Sequence, residues 1–165
     1  MNVNLRASGE ADNNFLYKLY ASTRADEMGL VDWSEQQTED FLRMQFNAQH
    51  SYYYNQFKQA QYDVIESDKT SIGRLYVDRR EQEIRIIDIA LLPDFRGKGV
   101  GTFLMQLLFD EASKENKSVT IHVEHNNPAM HLYQRLGFKH IHDEGVYYFM
   151  EWTKEEKINQ EKTAS

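Results

Sequence analysis

The chain has 165 residues, 41% of them hydrophobic and 13% aromatic, which is enough apolar material for the core of one domain and excludes disorder throughout. The formal net charge of −7 argues against general binding to nucleic acid or to an acidic membrane surface. Cysteine is absent, so disulfides, cysteine-ligated zinc and thiol nucleophiles are excluded.

The first part of the chain predicts a short strand followed by two helices. The strand is expected over Val3-Asn-Leu-Arg6, and the acidic residues after it suit the first turn of a helix. Apolar residues at helical spacing carry this helix to an end between Thr23 and Met28, with Gly29 as a stop. A capping box of Ser34 and Gln37 begins the second helix, which is expected to end near His50.

From Tyr62 onward the hydrophobic period becomes that of strands. The segments Tyr62–Glu66, Ile72–Val77 and Glu83–Leu92 predict three strands of an antiparallel meander. The third is long and largely apolar, as expected in the middle of a sheet. The run Tyr52–Tyr54 before them either covers the core or lines a substrate groove.

The third strand leads into a glycine-rich corner, Arg96-Gly-Lys-Gly-Val-Gly101, that opens into a helix. Free backbone N–H groups at a helix N-terminus form a site for phosphate or pyrophosphate. A P-loop is excluded, because Lys98 is followed by Gly99 and not by Ser or Thr. A dinucleotide-binding fold would use Glu124 as its acidic residue, but the spacer Pro93-Asp-Phe-Arg96 and the antiparallel strands before it argue against that fold.

The rest of the chain predicts a helix, a strand, a second helix and a hairpin. The helix that follows the glycine corner has an apolar face made by Val100, Phe103, Leu104, Leu107, Leu108 and Ala112. The strand over Val119–Val123 completes a βαβ unit, hence a parallel pair of strands. The next helix is expected to start at Asn126-Asn-Pro128 and to close at Gly137. The hairpin consists of Phe138–His142 and Val146–Trp152.

Two motifs in this part resemble signatures of the GCN5-related N-acetyltransferase (GNAT) family. The corner Arg96–Gly101 is similar to the family's Arg/Gln-x-x-Gly-x-Gly/Ala motif, and Leu91-Leu-Pro93 to its strand end. Asn126-x-x-Ala-x-x-Leu-Tyr133-x-x-x-Gly-Phe138 is similar to the second signature. Both motifs occur in the right order, with a helix and a strand between them, and the resemblance covers roughly half of the chain.

The resemblance implies a single α/β domain of GNAT type. Its mixed, mostly antiparallel sheet would have about six to seven strands, splayed at the cofactor site and flanked by about four helices. We expect this domain over residues 1–152, with a variable acceptor-side part over 1–60 and a CoA-binding core over 61–152. Residues 153–165 are expected to be a charged C-terminal tail.

The resemblance also implies acetyl-CoA as the co-substrate. Its pyrophosphate would lie at the helix N-terminus, where glycines leave room for the phosphates, and its pantetheine arm would pair with backbone near Leu91 like an added strand. Arg96 and Lys98 either contact the phosphates or form a solvated basic turn. The cofactor-binding residues expected are Leu91, Leu92, Arg96, Gly97, Lys98, Gly99, Val100, Gly101, Thr102 and Asn126.

Three residues are candidates for catalysis of direct acyl transfer. Tyr133 matches the family tyrosine that protonates the leaving CoA thiolate, although its spacing also suits a packed aromatic residue. Glu83 and Asp88 are candidates for the base that deprotonates the amine. The structural alternatives are a turn charge for Glu83 and an arginine partner for Asp88.

The expected partner is a small-molecule or peptide amine, without nucleic acid, membrane or metal, and a homodimer is possible. His122, His125, His140 and His142 lack a third convergent ligand at metal-site spacing. The sequence shows no apolar run of membrane-spanning length and no secretory pattern, so we expect a cytoplasmic protein. Two alternatives stay open, namely a non-catalytic acyl-CoA-binding module on the same fold and a nucleotide-dependent oxidoreductase.

Overall fold

The computed structural model describes residues 2–154, in which a seven-stranded sheet is accompanied by five α-helices. The strands are β1 (Val3–Ala7), β2 (Gln61–Ser67), β3 (Thr70–Arg79), β4 (Glu83–Leu91), β5 (Ser118–Glu124), β6 (Lys139–Glu144) and β7 (Tyr147–Trp152). The helices are α1 (Asn13–Thr23), α2 (Ala25–Met28), α3 (Glu35–Gln56), α4 (Val100–Glu115) and α5 (Met130–Arg135). The predicted α/β class is confirmed. Residues 155–165 of the predicted tail lie outside the described part.

The strand order is β1-β2-β3-β4-β5-β7-β6. Strands β4 and β5 are parallel, in a register from Glu83↔Ser118 to Ile86↔Ile121. Because α4 connects these two strands, the predicted βαβ unit is confirmed. Strand β7 pairs antiparallel with both β5 and β6, and the pairing with β6 contains a bulge between His140 and His142.

Chain contacts divide the described residues into two compact units. Residues 2–76 and 88–98 form the first unit, and residues 77–87 and 99–154 form the second. The domain boundaries expected from the sequence stay a prediction.

In the first unit, α1 and α3 pack through aromatic and aliphatic side chains. The edge of the Tyr17 ring meets Phe46 with centroids 5.9 Å apart, in a cluster completed by Leu16, Tyr20 and Leu42. The predicted capping box is present. Ser34 Oγ accepts the N–H of Gln37 at 3.1 Å, and the Ser34 N–H donates to Gln37 Oε1 at 2.9 Å.

The first predicted helix ends within its expected range, since α1 ends at Thr23, and a separate short helix, α2, follows Arg24, whose ψ of 0° is not helical. The predicted end of the second helix is wrong. Helix α3 continues past His50 to Gln56. The added turn is held by ring contacts, with His50 4.6 Å from Tyr54 and Tyr53 6.0 Å from Tyr76 between centroids. Packing of this kind outweighs local propensity.

In the second unit, α4 buries one face and leaves part of the predicted apolar face in solvent. Phe109 is fully buried and stacks on Trp152 at 4.1 Å between centroids. Phe103 and Leu107, predicted on the apolar face, are exposed.

The predicted start of the last helix at Asn126 is wrong, since α5 begins at Met130. Asn127 Oδ1 accepts the N–H of Ala129 at 2.8 Å, and the Asn127 N–H donates to Glu124 O at 3.0 Å. Such local side-chain bonds compete with the helix. Gly137 closes the helix with a φ of +104°, as predicted. Within residues 2–154, none of the helices combines the length and apolarity required to cross a membrane.

Candidate active site

The glycine corner has a backbone that L-residues rarely adopt. After β4, a 3-10 turn at Pro93–Phe95 leads to Gly97 and Gly99, whose φ angles are +71° and +84°. Gly99 is the N-cap of α4. Left-handed backbone is accessible to glycine without a steric penalty, so these two glycines let the chain turn from the strand into the helix.

The corner also leaves room next to its backbone. Apart from adjacent atoms of the chain itself, none of the described atoms lies within 4 Å of a Cβ built on Gly97, Gly99 or Gly101. The first N–H groups of α4 have no acceptor inside the helix, and the helix dipole places partial positive charge there. The corner therefore suits an anionic group chemically.

The two basic side chains of the corner are turned toward nearby protein groups. Arg96 Nε donates to the carbonyl oxygen of Leu91 at 2.9 Å, and its Nη2 lies 3.5 Å from Ser22 Oγ. The Lys98 ammonium lies 5.7 Å from the centroid of the Phe95 ring. The N–H of Leu92 donates to Ile72 O at 2.8 Å. Arg96 thus ties the end of β4 to the end of α1.

Asp88 lies in a polar network of the first unit. Its Oδ2 accepts a hydrogen bond from Arg74 Nη2 and another, at 3.1 Å, from the hydroxyl of Tyr53. The same Arg74 nitrogen donates to Gln49 Oε1 at 2.9 Å. The Asp88 side chain keeps 17% exposure, whereas that of Arg74 keeps 4%. Asp88 is thus the arginine partner that the sequence left as an alternative, and its role as a base stays a prediction.

Arg74 is almost completely enclosed. Its guanidinium lies 5.0 Å from the ring centroid of Tyr76, and burial raises the pKa of Tyr76 to about 12. Among the described residues, Arg74 Nε and Tyr76 Oη have no hydrogen-bond partner. Buried polar atoms without a partner are rare, and the burial of Arg74 and Tyr76 leaves two of them.

Glu83 opens β4, at the opposite end of the strand from Leu91. It is 3.1 Å from Arg80 and 3.4 Å from Arg85. Burial acts to raise the pKa of Glu83, but the hydrogen bond to Thr120 and the two arginines together lower it. A carboxylate held in this way is a weak proton acceptor, and its role as a base stays a prediction.

The two residues of the second signature lie in the second unit. Tyr133 is buried in α5, and the edge of its ring meets Phe138 at 5.8 Å between centroids. Asn126 lies in the turn after β5. The side-chain hydrogen bond within this turn is made by its neighbour Asn127, whose Oδ1 accepts the N–H of Ala129. The roles of Tyr133 as an acid and of Asn126 as a cofactor contact stay predictions.

The histidines of the hairpin pair with carboxylates. Glu144 accepts hydrogen bonds from His122 Nε2 at 2.7 Å and from His142 Nε2 at 2.6 Å. Both bonds lower the pKa of Glu144, and the bond from His142 has the larger effect. His140 pairs with Asp143 at 2.7 Å. Within residues 2–154, no group of three or more such side chains is arranged to hold a metal ion.

The sequence model of the Acetyltransferase (GNAT) family matches residues 17–138. The chain belongs to this family. The match confirms the resemblance and extends it into the first helices, where the two motifs gave no information.

Individual relatives match shorter parts of the chain. It is 36% identical over 69 residues to the mouse cysteine-rich protein 2-binding protein, which is 42% of this chain and 9% of that protein. It is 31% identical over 67 residues to the ribosomal protein bS18-alanine N-acetyltransferase of Haemophilus influenzae, which is 40% of this chain and 46% of that enzyme. These matches therefore span less than half of either relative.

A solved GNAT structure shares the fold over nearly the whole chain. The PaiA N-acetyltransferase of Thermoplasma acidophilum, in complex with coenzyme A, superposes with a TM-score of 0.69 and 18% identity over 93% of this chain and 99% of that one. The fold expected from the resemblance is thereby confirmed.

Sequence reasoning missed two residues of this GNAT protein that lie beside the predicted site. A Cβ on Gly73 would lie 2.3 Å from Ala90 O, so Gly73 lets β3 approach the end of β4. A glycine inside a strand is a signal for such an approach. The second missed residue is Arg74. A charged residue inside the apolar strand β3 is a signal that it pairs with a buried partner, here Asp88.

Proposed function

We propose that this protein is an N-acetyltransferase that moves an acetyl group from acetyl-CoA directly to an amine. The observation that carries the proposal is the glycine corner before α4. Open space outside Gly97, Gly99 and Gly101 adjoins the unpaired N–H groups of a helix N-terminus. The corner occurs in a chain whose family is one of acetyltransferases.

The cofactor would be held mainly by backbone. The N–H groups of the corner bind the pyrophosphate, with Val100 and Thr102 in the first turn of the helix. The backbone of Leu91 pairs with the pantetheine arm, because its carbonyl oxygen keeps a second lone pair beside the Arg96 bond, whereas the Leu92 N–H is already bonded to Ile72 O. Lys98 adds a charge-assisted contact, and Asn126 contacts the cofactor arm.

The reaction requires one proton donor and one proton acceptor. The amine nitrogen bonds to the acetyl carbon, and the C–S bond breaks. The leaving thiolate takes the proton of the Tyr133 hydroxyl, while the amine loses its proton to a carboxylate, directly or through water. Asp88 and Glu83 are the two candidates for this acceptor, and both are held by arginine, Asp88 by Arg74 and Glu83 by Arg80 and Arg85.

The proposal is supported by what a relative does. The Haemophilus influenzae enzyme is named for acetylation of an alanine of a ribosomal protein, and a free α-amine of that kind is neutral in part at pH 7 because its pKa is about 8. A polypeptide amine is therefore a chemically suitable acceptor.

The test is a panel of amines with acetyl-CoA, in which wild type, Tyr133→Phe and the exposed-residue control Tyr147→Phe are compared. Turnover is expected to fall about 100-fold in Tyr133→Phe, the size of a general-acid contribution, while calorimetry gives an unchanged affinity for acetyl-CoA. Unchanged turnover in Tyr133→Phe would remove the tyrosine from the acid role.

Two results would overturn the activity itself. Binding of acetyl-CoA without transfer to any amine of the panel would favour a non-catalytic acyl-CoA-binding module. Binding of NAD without binding of acetyl-CoA would favour the oxidoreductase alternative.

A further inference from the structure

The negative charge of the chain is concentrated in one segment. Residues 25–40 contain six acidic residues and no Lys or Arg, a net charge of −6, whereas the rest of the chain has 20 acidic and 19 basic residues, a net charge of −1. All six carboxylates are exposed. They are Asp26, Glu27, Asp32, Glu35, Glu39 and Asp40. Among residues 2–154, only Glu27 and Glu39 of these six form an ion pair, with Arg24 at 3.6 Å and Arg43 at 3.3 Å.

The same segment exposes bulky apolar side chains. Leu30 is 89% exposed, Val31 41% and Trp33 43%. The Trp33 ring is held in place by Phe41 of α3, edge to face at 5.1 Å between centroids. Exposed apolar side chains that are contiguous and rimmed by charge mark interaction sites more often than single ones do.

We propose that this 25–40 surface docks the acceptor, and that the acceptor is a basic polypeptide with bulky apolar side chains. This inference rests on the proposed acetyl transfer. The carboxylates select the positive charge, and Leu30, Val31 and Trp33 select apolar side chains. A polyamine or another small cation offers the charge alone and leaves the apolar side chains uncovered.

The test compares two variants that change the net charge equally. The surface variant is Asp26→Asn/Asp32→Asn/Glu35→Gln, and the matched control is Glu10→Gln/Glu81→Gln/Asp110→Asn, all at exposed positions. The substrates are a synthetic peptide of about 12 residues with a free N-terminal amine followed by Lys and Leu residues, the same peptide with Gln for Lys, and spermidine.

The surface variant is expected to raise the KM for the Lys/Leu peptide about tenfold, the sum of three exposed charge pairs, with kcat and the KM for acetyl-CoA unchanged. The control variant is expected to stay within about twofold of wild type. Wild type should prefer the Lys/Leu peptide to the Gln peptide, and this preference should fall as salt rises.

Binding has a readout that does not depend on turnover. Of the two tryptophans, Trp33 is exposed and Trp152 is buried, so emission that shifts to the blue as peptide is added reports cover of Trp33. The substitution Trp33→Phe should abolish the shift. A shift without turnover of the peptide or of any amine of the panel would retain the docking surface and overturn the proposed transferase.

Other outcomes overturn the inference and leave the transferase intact. Spermidine acetylated as well as the peptide, with Trp33 emission unchanged, would show a small-cation acceptor. Equal KM changes in the surface and control variants would show a general charge effect. Turnover of the Lys/Leu peptide with no change in the surface variant would place the acceptor elsewhere.

Discussion

At the residue scale, two glycines near the candidate site differ in what surrounds them. A Cβ on Gly73 would lie 2.3 Å from the carbonyl oxygen of Ala90 and 2.8 Å from Leu91 Cδ2, whereas none of the described atoms beyond the adjacent helix backbone lies within 4 Å of one on Gly101. The first glycine serves packing, because backbone cannot move aside as a flexible side chain does. The second leaves space that a ligand can use.

Substitution at these two positions should therefore separate stability from binding. Gly73→Ala is expected to lower the free energy of unfolding by about 1–3 kcal/mol through overpacking. Gly101→Leu should keep or slightly raise it, since leucine favours a helix more than glycine does, and should weaken binding of acetyl-CoA by filling the space, whereas the family motif accepts the smaller alanine at this position. Urea unfolding and calorimetry measure the two effects. Wild-type affinity for acetyl-CoA in Gly101→Leu would count against the corner as the pyrophosphate site.

At the scale of elements, one buried side chain joins three of them. Arg74 of β3 donates to Gln49 of α3 and to Asp88 of β4, and Tyr53 of α3 donates to the same carboxylate. The arrangement orients Asp88 and excludes most solvent from it. A buried ion pair does not by itself stabilise a fold strongly, but removal of one partner leaves the other charge buried and uncompensated.

Arg74→Met is expected to lower the free energy of unfolding by about 3–5 kcal/mol. The matched control is Arg43→Met, which removes an exposed i,i+4 pair with Glu39 and a contact 4.0 Å from the Tyr17 ring centroid, and it should lower stability by about 1 kcal/mol. Urea unfolding followed by circular dichroism measures both. Equal losses in the two variants would show that the Arg74 network adds nothing beyond an exposed pair.

At the scale of the whole molecule, the sequence predicted what local patterns determine. The three strands β2 to β4, the βαβ unit and the turn at Gly97 and Gly99 all follow from nearby residues, and all are present. The end of α3 was missed, because ring contacts such as that between Tyr53 and Tyr76 join residues far apart in sequence. The Arg74 network was missed for the same reason, since sequence patterns carry no information on which distant partner a charge meets.

Charges across the whole molecule also determine its response to acid. Hydrogen bonds from Arg6 lower the pKa of Asp12 and of Glu66 below their usual values of 3.8 and 4.5, and that of Glu144 is lowered by His142 and His122. For a carboxylate with a lowered pKa, the unfolded chain binds more protons than the folded one. Their contribution is thus complete above about pH 5 and is lost as pH falls through the folded pKa values.

His50 should add an earlier step. Burial, and then the charge of Arg74, lower the pKa of His50 below its usual value of 6.5, so the unfolded chain takes up its proton first and the free energy of unfolding begins to fall below pH 6.5. Urea unfolding at pH 7.5, 5.5 and 3.5 should give a small loss in the first interval and a larger one in the second. His50→Phe, which keeps a ring beside Phe46 and Tyr54, should abolish the first loss and leave the second. A first loss that persists in His50→Phe would assign it to other groups.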